Sequence, residues 1–324
     1  MFARLMIATA LAAAALTPWP TPTRAQTVTI ATNPQGSVGH AIGLGVAVVI
    51  SKRTDVVARP VALGGGTAFL PQINEGTIEL GTNNIIDNNF AVRGHATFDG
   101  KANPNLRAVA RLVDFYAGLM VRVDSDIKSS KDFKGRPFPT EFTQQSIVKF
   151  TTEAMLATGG VGWDDIKPVP VVNFAKGIEL LAARRVDGAN GAPGSAIIQE
   201  ANARTPIKFI PIERSPANQA IMDRIVPGAA FADLDPAPYM PEIRETVTML
   251  GFPFMLVTGT HVSDEIIYKI TKALYEAKAD LIAQHGVFRS FDPKKMAVDA
   301  ADLKYHPGAV KFYAENGLWP PAKH

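Results

Sequence analysis

From Thr27 onward, short runs rich in β-branched residues alternate with stretches whose apolar positions recur at helical spacing. Residues 27–32 predict a first strand. Residues 38–52 predict a helix that is apolar nearly all round and so well buried. A strand at 56–62, a helix through 70–74, a short strand at 78–81 and a helix near 88–92 follow. This alternation predicts an α/β architecture with largely parallel sheets. Two longer apolar strands, 116–123 and 252–258, break the rhythm. Between them lies a self-contained set: strands near 136–139, 167–172, 186–189 and 207–211, and helices at 146–157, 175–183 and 196–203. A helix over 264–284 comes next, with Ser263 as N-cap and Asp264 and Glu265 in its first turn, where carboxylates suit the dipole. The last helix, near 309–316, ends at Gly317. The Pro-rich stretch 227–241 reads as a surface excursion.

The expected organisation is one lobe from residues 26–120 plus 256–324, interrupted by a second lobe, 121–255. The two long strands would be the crossings, and two lobes on two strands form a hinge that closes around a ligand. Ligands of α/β sheets bind at the carboxyl ends of strands. Four such junctions are rich in small and amide residues. The first carries Asn33, Gln35, Gly36, Ser37 and His40, and the second Gly65, Gly66 and Thr67. The third carries Thr143, Gln144, Gln145 and Ser146, and the fourth Asn190, Gly191, Ala192 and Pro193. Glycine lets the backbone approach a ligand closely. The first N–H groups of each following helix lack internal partners and carry partial positive charge. Together they would surround a small anionic or zwitterionic group without a formal charge.

The N-terminus adds a compartment. Arg4 precedes an alanine-rich apolar run, residues 5–16, then a Pro-rich breaker and Thr23-Arg24-Ala25. That is the pattern of a secretory signal peptide over residues 1–25, with the mature chain starting near Gln26. The run falls short of the roughly 20 apolar residues that span a bilayer. The chain has no cysteine, which excludes lipoprotein anchoring, thiolate catalysis and Cys-ligated metal. Of 33 Lys plus Arg, Arg4 and Arg24 leave with the signal segment, so 31 face 30 Asp plus Glu. Near-neutrality gives no reason to expect nucleic acid as a partner.

The C-terminal motif His306-Pro307-Gly308-Ala309, followed by Phe312, Tyr313, Glu315 and Gly317, resembles the closing motif of the TAXI-type solute receptors of tripartite ATP-independent periplasmic (TRAP) transporters. Asn105-Leu106-Arg107, Asp132-Phe133-Lys134-Gly135, Gly191-Ala192-Pro193 and residues 267–272 are similar to further family motifs, in the family's order. The resemblance runs over residues 27–318. It implies a two-lobed periplasmic binding protein of type II-like fold with a central cleft. Such a receptor captures a small, usually carboxylate-bearing solute, acidic amino acids among them, and hands it to membrane subunits of a TRAP transporter. The cleft loops depart from the family pattern. Gly36-Ser37-Val38-Gly39-His40 stands where the family reads Gly-Gly-x-Tyr-Tyr, and Thr143-Gln144-Gln145-Ser146 where it reads Gly-Ser-Gly-Thr. A common Asp aligns with Ile86, just after Asn83 and Asn84. A pocket with Gln144, Gln145, Asn83, Asn84 and His40 would be neutral and amide-rich, able to donate and accept, with room for a bulkier ligand.

Rival readings stay open. Ser146-Ile147-Val148-Lys149 fits the Ser-x-x-Lys pattern of penicillin-binding enzymes, but the Ser-Asp-Asn and Lys-Thr-Gly elements of that chemistry do not occur. Gly43-Leu44-Gly45 lacks the third glycine of a dinucleotide fingerprint and lies inside a helix pattern, where it would allow close packing. The six histidines, His40, His95, His261, His285, His306 and His324, show no i, i+4 pair, so no metal or other cofactor is expected. A sensory binding protein presenting its ligand to a membrane kinase is the remaining class.

Overall fold

The computed structural model describes residues 26–321. The expected signal segment and His324 lie outside the described residues. The chain begins with β1 (Gln26–Thr32), α1 (Val38–Arg53), β2 (Val56–Ala62), α2 (Gly66–Glu75), β3 (Leu80–Asn84) and α3 (Ile85–Arg93). The three strands are parallel, in the order β2-β1-β3. β4 (Leu106–Arg122) then runs for 17 residues, about 55 Å at the usual rise per residue. It carries the chain into the second lobe: β5 (Pro137–Glu141), α4 (Ser146–Ala157), β6 (Lys167–Val171), α5 (Phe174–Ala182), β7 (Ala189–Gly191), α6 (Ala196–Arg204), β8 (Ile207–Phe209), α7 (Pro216–Ile225) and β9 (Ala230–Leu234). β10 (Val247–Gly259) brings it back to α8 (Asp264–Tyr275), α9 (Lys278–Gln284) and α10 (Pro307–Glu315).

β4 and β10 pair antiparallel from Leu106–Gly259 to Ala117–Leu250, and everything else hangs on this ribbon. At one end β10 continues the first lobe's sheet by pairing with β3. At the other, β9 adds to β10, and β7 and β8 add to β4. The result is a two-lobed α/β fold on one mixed sheet, with β5 and β6 as a separate parallel pair. Ile30, Ile42, Ile50, Phe288, Phe291 and Tyr313 centre one core. Phe142, Ile178, Leu181, Ile198 and Met249 centre the second lobe's.

Several expectations shift. The crossing strand begins at Leu106, ten residues before the predicted start, because residues 106–113, Arg107 excepted, are buried on both faces and show no alternation. The strand expected at 186–189 is β7, Ala189–Gly191. The Pro-rich 227–241 stretch contains β9, whose Asp233 accepts a hydrogen bond from Thr248 Oγ1 across the pair (2.7 Å). The helix expected over 264–284 divides at Glu276–Ala277. Ala277 and Leu281 are buried in the first lobe's core, and Asp280 accepts from Lys52 and Arg53 at the end of α1, so tertiary contacts redirect the chain. α1 is less fully buried than its composition suggests, since Leu44 and Val48 are exposed. The Gly43-Leu44-Gly45 pair does serve packing: a Cβ at Gly43 would meet Thr32, and one at Gly45 would meet Phe288.

The His306-Pro307-Gly308 motif closes the first lobe. His306 caps α10 by accepting from Gly308 N–H through Nδ1 (3.2 Å), so its proton sits on Nε2, 3.0 Å from Val262 O. That tautomer is neutral, and burial lowers the ring's pKa. Asp264, 3.6 Å from Nδ1, is therefore no ion-pair partner here. At Gly308, α10 touches the backbone carbonyl of Asp264 so closely that a Cβ would overlap it. Backbone cannot yield as a side-chain tip does. Gly308→Ala should cost about 1–3 kcal/mol, seen as a lower urea midpoint with an unchanged slope.

Candidate functional site

A narrow cavity lies between the lobes, against one face of the β4–β10 ribbon. Its floor is Phe115 and Ala117 of β4 with Phe252 and Phe254 of β10. Phe115 stacks on both β10 rings, with centroids 5.5 Å from Phe252 and 4.9 Å from Phe254. Five helix N-termini form the walls. α1 contributes Ser37, Val38 and Gly39, and α3 its cap, Asn84. From the second lobe, α4 contributes Gln145, Ile147, Val148 and Thr151, α5 Phe174, and α6 its cap, Ser195. Asn33, Asn190, Gly191 and Ala192 complete the lining, which contains no ionisable side chain.

Four of the five helices are capped by their own side chains. Ser37 accepts from His40 N–H, Asn84 from Asp87 N–H, Asn173 from Lys176 N–H and Ser195 from Ile198 N–H. α4 alone has no side-chain cap; Val148 N–H donates to Gln145 O (3.1 Å), which leaves the N–H groups of Ser146 and Ile147 as donors at its start. The turn leading to it holds Glu141 and Phe142 at φ values of 70° and 50°. Non-glycine residues rarely adopt that region, and burial of Phe142 in the second core pins it there.

The polar lining divides by what is already spoken for. Asn190 Nδ2 donates to Thr151 Oγ1 and Thr152 Oγ1, both at 2.9 Å. Those hydroxyls donate to helix carbonyls, so they can only accept here, and Asn190 Oδ1 is the atom left for a ligand. Gln145 Oε1 accepts from Phe174 N–H (3.4 Å), while its Nε2 has no partner among the described residues. The Asn33 side chain has none at all there, although the residue is 8% exposed. One free amide thus faces the cavity from each lobe.

The sequence candidates fall into two groups. Asn33, Ser37, Asn84, Gln145, Asn190, Gly191 and Ala192 line the cavity. The others lie around it. His40 turns away to Thr32 Oγ1 (2.8 Å), and burial lowers its pKa. Asn83 bonds Asn88 behind the wall. Gln35, Thr143 and Gln144 are exposed, and Pro193 is buried beside the loop. The expected amide-rich pocket therefore keeps only Gln145 and Asn84 of its five residues, because His40 and Asn83 are bonded to neighbours behind the wall and Gln144 points to the surface. Gly36, Gly65, Gly66, Thr67 and Ser146 sit where the lobes meet or just behind. Gly36, at φ 82°, faces Ile197 of the other lobe so closely that a Cβ would lie 2.9 Å from it. Gly65 faces Gln145, and Gly66 leaves space for Asp87 and Asn83. Thr67 Oγ1 and Ser146 Oγ are 2.6 Å apart across the lobes, and Ser146 Oγ donates to Thr97 Oγ1 at 3.1 Å. The Ser146 hydroxyl of the Ser-x-x-Lys match is thus engaged by Thr67 and Thr97 rather than by Lys149.

Sequence reasoning missed Phe115, Phe252, Phe254 and Phe174. The spacing of Phe252 and Phe254, two apart in a strand, put both on one face. It also missed two buried carboxylates behind the lining. Glu242 Oε1 accepts from Gly194 N–H (2.6 Å), which holds the 191–195 loop. Asp87 Oδ2 accepts from Asn84 Nδ2 (3.2 Å), its Oδ1 is unpartnered, and burial pushes its pKa up to about 6.

Two outcomes follow from these contacts. The raised Asp87 pKa means that the folded state binds more protons than the unfolded one between about pH 4 and 6, so its ionisation costs stability as pH rises through that window. Asp87→Asn should match wild type near pH 4 and exceed it by about 1–3 kcal/mol above pH 7, read by urea melts across pH. Ser146→Ala removes both hydroxyl contacts between the lobes. It should leave the melting transition within about 1 kcal/mol while raising the radius of gyration in X-ray scattering.

The fold is that of solved substrate-binding proteins. The aliphatic sulphonate binding protein SsuA from Escherichia coli superposes with a TM-score of 0.50 at 14% identity, covering 92% of this chain and 94% of that one. An ancestral arginine-binding protein bound to arginine gives 0.50 at 16%, covering 81% and 95%. A binding protein component of a phosphonate ABC transporter from Pseudomonas aeruginosa gives 0.51 at 11%, covering 82% and 80%. Among the described residues no helix is long and apolar enough to cross a membrane. A family model matches residues 30–317, nearly the whole described chain, and by that match the protein belongs to the NMT1-like family.

Proposed function

We propose that this protein is a periplasmic solute receptor that captures a small anionic solute by lobe closure and delivers it to a membrane transporter. The observation that carries the reading is the convergence of five helix N-termini, from both lobes, on one cavity without ionisable side chains. N-terminal N–H groups and dipoles favour an anion there. Asn33 and Gln145 offer free amide donors from opposite lobes, so a ligand bonding both would hold the lobes together. The hinge would be the β4–β10 ribbon, with lobes divided at residues 120/121 and 255/256. The similar solved structures, a sulphonate binder, an arginine binder and a phosphonate-transporter component, support a binding role rather than catalysis.

For the transporter, the ordered motifs ending in His306-Pro307-Gly308 favour a TAXI receptor with TRAP membrane subunits. The ABC systems named for the similar structures favour an ABC permease instead. Co-purification of the mature protein with candidate membrane subunits of each type discriminates the two. The receptor reading itself is tested by native mass spectrometry and thermal shift with the small-molecule fraction of spent medium. A bound small molecule and a concentration-dependent rise in melting temperature are expected. Absence of both would refute the reading. Asn33→Ala and Gln145→Ala should each weaken binding of that molecule about tenfold or more, as for a hydrogen bond to a charged group, without changing the melting temperature of the free protein by more than a few degrees.

A further inference from the structure

Within the solute-receptor reading, on which this step rests, the lining also specifies the chemistry of the ligand. We infer that the cavity selects a monoanion carrying a flat apolar body and no ammonium group, such as an aromatic carboxylic acid.

Three observations converge on this class. First, the donors are neutral and confined to the walls: the uncapped N-terminus of α4, and the amides of Asn33 and Gln145, both residues 8% exposed and with amide atoms lacking partners among the described residues. Second, the floor is the stack of Phe115, Phe252 and Phe254, and Phe174 adds an aromatic side chain to the wall. Rings prefer offset-stacked or edge-on partners at the spacing this floor presents, so a planar apolar group fits it better than a chain ending in a second charge. Third, no carboxylate lines the cavity to pair with an ammonium. The two buried carboxylates behind the wall face their own loops, Glu242 toward Gly194 N–H and Asp87 toward the Asn84 amide. A buried, unpaired ammonium is costly. The one acceptor left over, Asn190 Oδ1, is neutral and suits a hydroxyl.

Phenyllactate and phenylalanine differ only in bearing hydroxyl or ammonium on the carbon beside the carboxylate, and phenylacetate carries neither on a chain one carbon shorter, so the three separate these terms. Titration calorimetry on the mature protein is expected to show phenylacetate and phenyllactate binding at least tenfold tighter than phenylalanine, with glutamate and neutral 2-phenylethanol weaker still. Phe115→Leu, at a partly exposed position, should reduce affinity for the ring acids several-fold and leave the melting temperature of the free protein nearly unchanged. Tighter binding of phenylalanine or glutamate than of phenylacetate overturns the inference and leaves the receptor reading standing. Failure of both ring acids to bind, while the spent-medium fraction yields a bound molecule, overturns the inference alone. Failure of every one of these overturns both.

Discussion

The antiparallel pairing of β4 with β10 is the constraint on which the rest depends. It carries the mixed sheet from the first lobe into the second, and its register fixes which side chains face the cavity. Phe115 pairs with Phe252, and Asp114 with Pro253. A slip of one residue would turn the phenylalanines to the other face and put Asp114 on the cavity floor. Two register irregularities, between Phe254 and Met255 and between Leu256 and Val257, lie on the first-lobe side of this crossing. Such irregularities bend and twist a strand locally, and these fall where β10 passes from the cleft floor into the first lobe's sheet.

From that ribbon the helix N-termini follow by topology. Each lobe is built of parallel strand–helix units, and parallel strands deliver their carboxyl ends, hence the next helix starts, to one edge. Two such edges facing across a hinge bring α1 and α3 against α4, α5 and α6 without further design. This explains why no ionisable side chain is needed in the lining. Helix starts and side-chain amides supply partial charges already held in place. Neutral donors also cost less than guanidinium or ammonium groups to bring out of water as the lobes close.

Much of this was legible in the sequence, because it rested on local chemistry. The Ser263 cap and the Gly317 terminus are where the residue types said they would be. Asn33, Ser37 and Gln145 reach the cavity because they immediately follow a strand or cap a helix there, and Asn190 does so from within β7. What stayed hidden depended on partners distant in sequence. Nothing near Ala277 announces a break, since the cause is the burial of Leu281 and the pull of Lys52 and Arg53 on Asp280. His40 and Asn83 occupy loops of the right composition, yet their side chains are consumed by Thr32 and Asn88. Composition marks a loop as a candidate, but hydrogen-bond saturation decides which of its groups remain for a ligand.

The same accounting separates closing from binding. Thr67, Thr97, Ser146, Gly36 and Ile197 join the lobes at the rim, where the hydroxyls satisfy one another and the glycine admits close approach. Asn33 and Gln145, a few residues away on the same loops, are nine-tenths buried and carry amide atoms without partners. An exchange of roles would be unfavourable. Rim groups left unpaired would simply be hydrated when the lobes part, whereas unpaired amides in the closed cavity lose water without replacement. The rim contacts therefore contribute little selectivity, being complete within the protein. In the proposed receptor, selectivity would fall to the buried amides, whose hydrogen bonds a ligand of matching charge and shape would complete.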